Sequence, residues 1–544
     1  MIEQLRLAGD QLRTAWSHYC KTYSAIQACH SQGKSPLGKG FPPEFIRQFD
    51  TELAFISSYE PKIQEIKLSI KHARNYSSGL APINSLPPEI LSRIFHLVLA
   101  QPCQLNRISE DKKKYYPRYP DYLAHVCALW RRTAISAGSL WCHIDVSSYE
   151  TSYDGLVARA ETHLERTGEF PIELHIAMDG DIYDEDVLTC RALCSLLSDA
   201  SDRVESLELL VPRQFGHFHR SLFGIFLVGQ PPIFTKFIID SKAYHWNKFI
   251  EPDYVDPGEP CITCGFELQL ENSCLEACFA PLTVLHLRGV FPLWESKAYH
   301  GLVDLRLLST SPQSTIKEVE LINILKSSPG LRILHFGLSI RNQAADTEEL
   351  SPVHLEDLQV VKIFPNLEAP YECTRSVLPL LAPGSKPLRL SFEDHYVVDA
   401  SLITELERFF MRSRVTRFHT RAILPPVRIL LRYAPHLEQV VLDYAILHLG
   451  NDLPSMWLGV EDLKSLPRLR SLHIASSTLF ERELCLLLEC CPRNTVLYSC
   501  QVKRDGSAEM LNAEELSCIF PSIRTADIPL HPPGAQTVDW DVLD

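Results

Sequence analysis

The hydrophobic rhythm of the chain changes twice along its length. Ile2, Leu5, Gly9, Leu12, Trp16, Tyr19, Tyr23 and Ile26 recur in alternating steps of three and four, the stripe of an amphipathic helix. Gly33, Pro36, Gly38 and Gly40 break it. A second stripe runs through Phe45, Phe49, Leu53 and Ile56. A third runs through Ile63, Ile66 and Ile70, with Pro61 at its start or kinking the join. The pattern predicts a helical segment over 1–81 that folds as a local hairpin, with a coiled-coil partner as the alternative. The stretch NSLPPEILSRIFHLVLAQP, Asn84 to Pro102, follows a different rule. Apolar residues fill 90, 91, 94, 95, 97, 98 and 99, so the predicted helix has no polar face to show to water. It is shorter than the roughly 20 apolar residues that cross a bilayer, and it needs burial on more than one side. A polar insertion, Gln104 to Tyr119, leads to a helix with Leu123, Val126, Cys127 and Trp130 on one face. A strand, His143 to Val146, comes next.

Beyond Trp141 the rhythm becomes a recurring phrase: an apolar residue, two variable ones, a leucine-like one, a variable one and another apolar one. It begins at Val204, Phe234, Leu282, Leu302, Leu331, Leu355, Leu437 and Leu469. Degenerate copies are read at Leu268 to Leu270 and Leu388 to Leu390. Several intervals fit the roughly 20–29-residue period of leucine-rich repeats. Each such strand is too short to bury its own face, so stacked neighbours share one core. The predicted fold is therefore α/β, a leucine-rich-repeat horseshoe solenoid over 146–528 preceded by helices, with a tail over 529–544. Leu285, Leu305, Leu334, Leu358 and Leu472 are expected buried on successive parallel strands.

Side chains alternate across a strand, so the variable slot between the last two apolar residues points away from that core. His175, Glu208, His286, Arg306, His335, Gln359, His419 and His473 occupy it. The candidate substrate-binding residues on this concave face are His286, Arg288, Arg306, His335, Gln359, His419, Arg421, Asp443 and His473. Ordinary histidines titrate near pH 6.5, which predicts an affinity that changes between roughly pH 6 and 8. The plainer reading is a polar row left on an exposed strand.

The net charge of -14 argues against nonspecific nucleic-acid binding, which rests on neutralising phosphates. The densest basic spot, Lys112 to Lys114, reads as a solvated loop. Acidic residues near the start argue against a signal peptide, and no membrane association is expected. The 17 cysteines are expected to be thiols in a reducing compartment, cytoplasmic or nuclear. Cys261, Cys264, Cys274 and Cys278 have the spacing of a zinc knuckle, but thiols beside an irregular repeat are the favoured reading, and no metal or cofactor is expected. ACHSQGKS, Ala28 to Ser35, imitates a phosphate-binding loop; a helix precedes it where a strand is needed, and Pro36 follows. No catalytic constellation is present among the motifs with known mechanics.

Leu86-Pro87-Pro88-Glu89, Ile94-Phe95, Val126-Cys127-Ala128-Leu129-Trp130-Arg131 and Leu140-Trp141 stand in that order. Together they resemble an F-box over 82–145, with an insertion at about 101–120 that departs from the pattern. Similar insertions and N-terminal helices occur in the large F-box families of mushroom-forming fungi. The resemblance implies docking on the adaptor Skp1, and through it on a cullin-RING ubiquitin ligase, by Leu86, Pro87, Pro88, Glu89, Ile90, Ile94, Phe95, Val126, Trp130, Leu140 and Trp141. Leu86, Pro87, Ile90 and Ile94 are the expected direct contacts; Trp130 and Cys127 read as core. It further implies a non-catalytic substrate receptor whose solenoid holds a protein substrate. The alternatives are a scaffold that delivers nothing for ubiquitination and a zinc-stabilised interaction module.

Overall fold

A computed structural model describes residues 2–31, 43–76, 82–99, 120–147, 153–177, 187–212, 217–228, 234–242, 248–252, 266–268, 270–311, 314–341, 351–364, 376–393, 400–421, 433–443, 469–490, 494–507 and 509–526. The Gln104–Tyr119 insertion, Cys261, Cys264 and the 529–544 tail lie outside them. The chain divides into two compact units, residues 1–91 with 125–131 and residues 92–124 with 132–544.

The first unit is built on two long helices, α1 (Ile2–Ser31) and α2 (Pro43–Tyr76). Tyr19 donates to Glu52 at 3.1 Å and the Tyr23 ring meets Phe49 edge-on at 6.4 Å, which fixes an antiparallel hairpin. Pro61 starts no separate helix: α2 runs through it. Helix α1 also continues through Ala28 to Ser31, where the imitation phosphate loop would begin. Leu5, Leu12, Trp16, Leu53, Ile63, Ile66 and Ile70 remain exposed along the pair. Helix α3 (Pro88–Leu99) follows, with Pro88 at its first position, where a missing N–H costs nothing, and Glu89 in its first turn.

The second unit is mixed α/β around a large parallel sheet. Among the described residues fourteen strands join it in chain order, each parallel to the one before. They are β1 (His143–Ser147), β2 (Ile172–Ala177), β3 (Val204–Val211), β4 (Lys236–Ser241), β5 (Val284–Arg288), β6 (Asp304–Leu308) and β7 (Ile333–Gly337). Then come β8 (Val360–Ile363), β9 (Leu388–Phe392), β10 (Val415–Arg421), β11 (Gln439–Asp443), β12 (Ser471–Ala475), β13 (Thr495–Tyr498) and β14 (Ile523–Ala526). Helices such as Glu318–Ser327 and Ala400–Arg412 connect some of them. Shorter parallel pairs, such as Thr315–Lys317 with Ser339–Arg341 and Thr478–Phe480 with Gln501–Lys503, lie beyond the ends of the main strands. One core runs through the unit, from Ile144 to Phe520.

The repeat phrase explains that core. Leu285, Leu305, Leu334 and Leu472 are buried on their strands, as the periodicity requires. Leu282, Leu302, Leu331, Leu437 and the half-buried Leu469 precede their strands. Leu358 is buried but belongs with this second group: Leu334 pairs with Val361, so the phrase reads Leu358, Val361, Ile363. The sequence reading was three residues out of phase there, because Leu355 supplies an equally good start. Leu355 instead sits in a short strand beside Leu381–Pro383. Phe266–Leu268, expected as a degenerate repeat strand, pairs with Lys248–Pro252 in a separate small sheet. Gly289 ends β5 at φ +79°, where a Cβ would lie 2.9 Å from the Thr310 side chain, so glycine is required by both conformation and space.

Candidate functional site

Two surfaces carry the residues that the sequence singled out. The first is α3. At helical spacing Ile90, Ile94, Leu97 and Val98 share one side, and Leu91 and Phe95 another. Leu91 and Phe95 are completely buried, whereas Ile90, Leu97 and Val98 keep 47%, 71% and 58% of their surface. Leu86 and Ile94 are half-buried; Pro87, Pro88, Glu89 and Val126 are exposed. Trp130 is half-buried and donates Nε1–H to Asn84 Oδ1 at 3.0 Å. Phe95, Leu140 and Trp141 correct the expectation of an adaptor contact: they are core. Trp141 donates Nε1–H to the Ala134 carbonyl at 2.7 Å, with the Arg166 guanidinium 4.2 Å over its ring and His163 edge-on at 4.9 Å. A side chain so enclosed has no surface left for a partner.

The second surface is a row across the large sheet. The strand register aligns Asp145, His175, Glu208, Ile238, His286, Arg306, His335, Lys362, Ser391, His419, Val441 and His473 as direct neighbours. The histidines of the repeat slot therefore do share one face. Gln359 does not: with the phase of β8 corrected, Lys362 takes its place and Gln359 precedes the strand. The expectation of an accessible row also needs correction. His335, His419 and Asp443 are buried, and Lys362 and Ser391 with them. Of the candidate residues, His286, Arg306 and His473 in the row, Arg288 and Arg421 two residues along their strands, and Gln359 before β8 are partly accessible.

The row holds its charges in local networks. Arg306 donates Nε–H and Nη2–H to Asp304 at 3.0 and 2.8 Å, and His286 Nε2 lies 3.0 Å from the same carboxylate. Burial works against that carboxylate's charge, but its hydrogen bonds to His286 and Arg306 outweigh it and bring Asp304 down to about 2. Farther along, Ser391 donates to Glu393 at 3.0 Å, and His419 Nδ1–H donates to the Ser391 oxygen at 2.7 Å. Burial raises Glu393 and lowers His419 to about 3. Ser391 is fully buried and its proton is committed to Glu393, so this trio presents no exposed nucleophile. His473 stacks on Tyr498, with Nδ1 3.2 Å from its hydroxyl, and burial lowers its pKa too. Burial likewise lowers His286. Desolvation disfavours the imidazolium, so these side chains are neutral above pH ~6.5. The expected titration between pH 6 and 8 is overturned for His419, and burial moves His286 and His473 downward from it.

At the β1 edge the row becomes a ligand-like cluster. His143 and Asp145 are two apart on β1 and so share a face, and His175 lies opposite Asp145 on β2. Asp145 Oδ1 is 3.1 Å from His143 Nε2 and 3.6 Å from His175 Nδ1. His143 Nδ1 faces Glu173 Oε2 at 3.5 Å, and Glu208 Oε2 is 3.8 Å from His175 Nδ1. The hydrogen bond to His143 lowers Glu173, while burial raises Glu208 and lowers His175 to about 3. Sequence reasoning noted His175 but passed over His143 and Asp145; the two-residue alternation in His143-Ile144-Asp145-Val146 was the available signal. Of the cysteine cluster, Cys274 is exposed and Cys278 buried on the helix Asn272–Phe279. Among the described residues, no helix is long and apolar enough to cross a membrane. No family model matches the chain, and no curated protein matches its sequence.

Proposed function

We propose that the chain is a non-catalytic substrate receptor of an SCF-type ubiquitin ligase, with residues 82–145 acting as an F-box and the second unit as a leucine-rich-repeat horseshoe solenoid. The observation that carries this reading is the split character of α3. A helix that buries Leu91 and Phe95 completely still offers Ile90, Leu97 and Val98 to water. An apolar stripe at i, i+4, i+7 and i+8 on a short helix is suited to a hydrophobic groove on another protein. Its occurrence within Leu-Pro-Pro-Glu and Ile-Phe, with Val-Cys-x-x-Trp-Arg and Leu-Trp downstream, makes Skp1 the proposed partner.

The solenoid reading draws support from the strand order. Among the described residues, fourteen parallel strands paired in chain order, each with the one before and the one after, are what a stack of repeats, each contacting only its neighbours, produces. The proposed substrate surface is the partly accessible portion of the polar row, chiefly Arg288, Arg306, Arg421 and His473, with Gln359 beside it. The receptor supplies proximity, and a charged enzyme recruited by the cullin supplies the chemistry. The deciding experiment is a binding measurement between purified chain and Skp1. Micromolar or tighter binding, lost on changing Leu86 and Pro87 to alanine while circular dichroism is unchanged, is expected. No binding by the wild-type chain overturns the assignment. Ubiquitination of a co-purified protein then separates a receptor from a scaffold.

A further inference from the structure

We infer that His143, Asp145 and His175 bind one zinc-class divalent cation at the β1 edge of the large sheet. Tetrahedral zinc with ligand bonds of about 2.0–2.1 Å sets its donors about 3.3 Å apart. Asp145 Oδ1 meets that spacing toward both imidazoles, at 3.1 and 3.6 Å, and the three donor atoms lie within 4.8 Å of one another. Two imidazoles and a carboxylate suit zinc and its transition-metal neighbours; magnesium and calcium prefer oxygen donors alone.

Two independent features point to a ligand. His175 is about nineteen-twentieths buried, yet neither of its ring nitrogens makes a hydrogen bond among the described residues. Such a side chain is costly inside a protein unless something accepts its lone pair. In addition, His143 turns Nδ1 toward Glu173, which leaves Nε2 aimed at Asp145. A carboxylate behind the distal nitrogen is the usual way a metal-binding imidazole is oriented. Glu208, across His175 from Asp145 with Oε2 3.8 Å from His175 Nδ1, adds negative charge beside the cluster. Such an ion would tie β1 to β2, locking the first strand of the sheet onto its neighbour. The sequence reading expected no metal here because the donors come from two strands 30 residues apart, His143 facing Glu173 and Asp145 facing His175.

The test is titration of the purified full chain with Zn²⁺, and separately with Co²⁺, followed by X-ray absorption at the zinc edge. One equivalent with a nitrogen/oxygen shell near about 2.0 Å is expected, together with cobalt d–d bands that lack thiolate charge transfer. His175→Ala and His143→Gln should each abolish that equivalent, and Glu173→Gln, a positioning change, should weaken it about 10- to 100-fold. The exposed His354→Ala control should bind as wild type. If His175→Ala fails to fold, the part-exposed His143→Gln decides. A shell of sulfur alone at about 2.3 Å, no binding, or undiminished binding in folded His143→Gln overturns the inference.

Discussion

His419 sits between Ser391 and Val441 on the strand register with none of its surface in contact with solvent, and burial holds its pKa near 3. His163 is held near 4 for the same reason, against the opposing pull of its hydrogen bond to the His143 carbonyl. In the unfolded chain each takes up a proton near pH 6.5, in the folded chain only well below pH 5. The unfolded state therefore binds more protons beneath pH 6.5, and stability falls as the pH drops through that window. The slope approaches about 1.4 kcal/mol per pH unit for each such histidine. Denaturant midpoints at pH 7.5, 6.0 and 5.0 should show little change above 6.5 and a steep loss below it, and His419→Gln should flatten the slope. Trp141 makes the complementary case for an uncharged core residue. Its enclosure and its bond to Ala134 predict a loss of about 3–5 kcal/mol for Trp141→Ala, measured by chemical denaturation.

Helix α3 is apolar on two sides and buried on one of them. Its length and its prolines were legible from the sequence, as was the absence of a polar face. Which side faces inward was not, because an all-round apolar pattern carries no phase. The structure gives Leu91 and Phe95 to the interior and leaves Ile90, Leu97 and Val98 outside. The double change Ile90→Asp with Leu97→Asp should therefore cost less than about 1 kcal/mol of stability, as exposed substitutions do, while abolishing adaptor capture in a pull-down. Phe95→Asp should unfold the region, because it buries an unpartnered charge. Strand β8 makes the same point in β geometry. Leu355 and Leu358 offer competing starts three residues apart, and only pairing with β7 selects Leu358 and puts Val361 in the core. Val361→Asp should accordingly destabilise by more than 3 kcal/mol, and Gln359→Glu by about 0.5 kcal/mol or less, in the same denaturation assay.

If the second unit is the proposed solenoid, nearest-neighbour stacking governs its stability. Each strand of the sheet pairs only with its predecessor and successor, so local opening at one place does not require the whole unit to open. In the central strands β5 through β9, Leu285, Leu305, Leu334, Val361 and Leu390 have no exposed surface and both neighbours are paired. Amide hydrogen exchange should be slowest there and faster in β14, the last strand, whose Ile523 is only partly buried. Uniform protection from β1 to β14 would indicate a single cooperative block instead. The partly accessible residues of the polar row suit recognition across several strands at once. Replacing Arg288, Arg306 and His473 together by alanine should remove co-purified partners without lowering the melting temperature by more than a few degrees.

Local physics made several features readable from the chain alone: the α1 and α2 helices from three- and four-residue spacing, the repeat strands from their apolar phrase, and the histidine slot from two-residue alternation. Each of these depends on neighbours within about ten residues, which the sequence order supplies directly. Tertiary structure decided the rest. Whether His335 and His419 meet solvent depends on what packs over them, and for His419 that burial removed the pH response an unperturbed histidine would have given. The register of β8 was decided by pairing with β7, a choice between starts that sequence spacing rates as equal. The His143, Asp145 and His175 cluster exists only because β1 and β2 pair in one register; a shift of one residue would turn Asp145 or His175 to the opposite face.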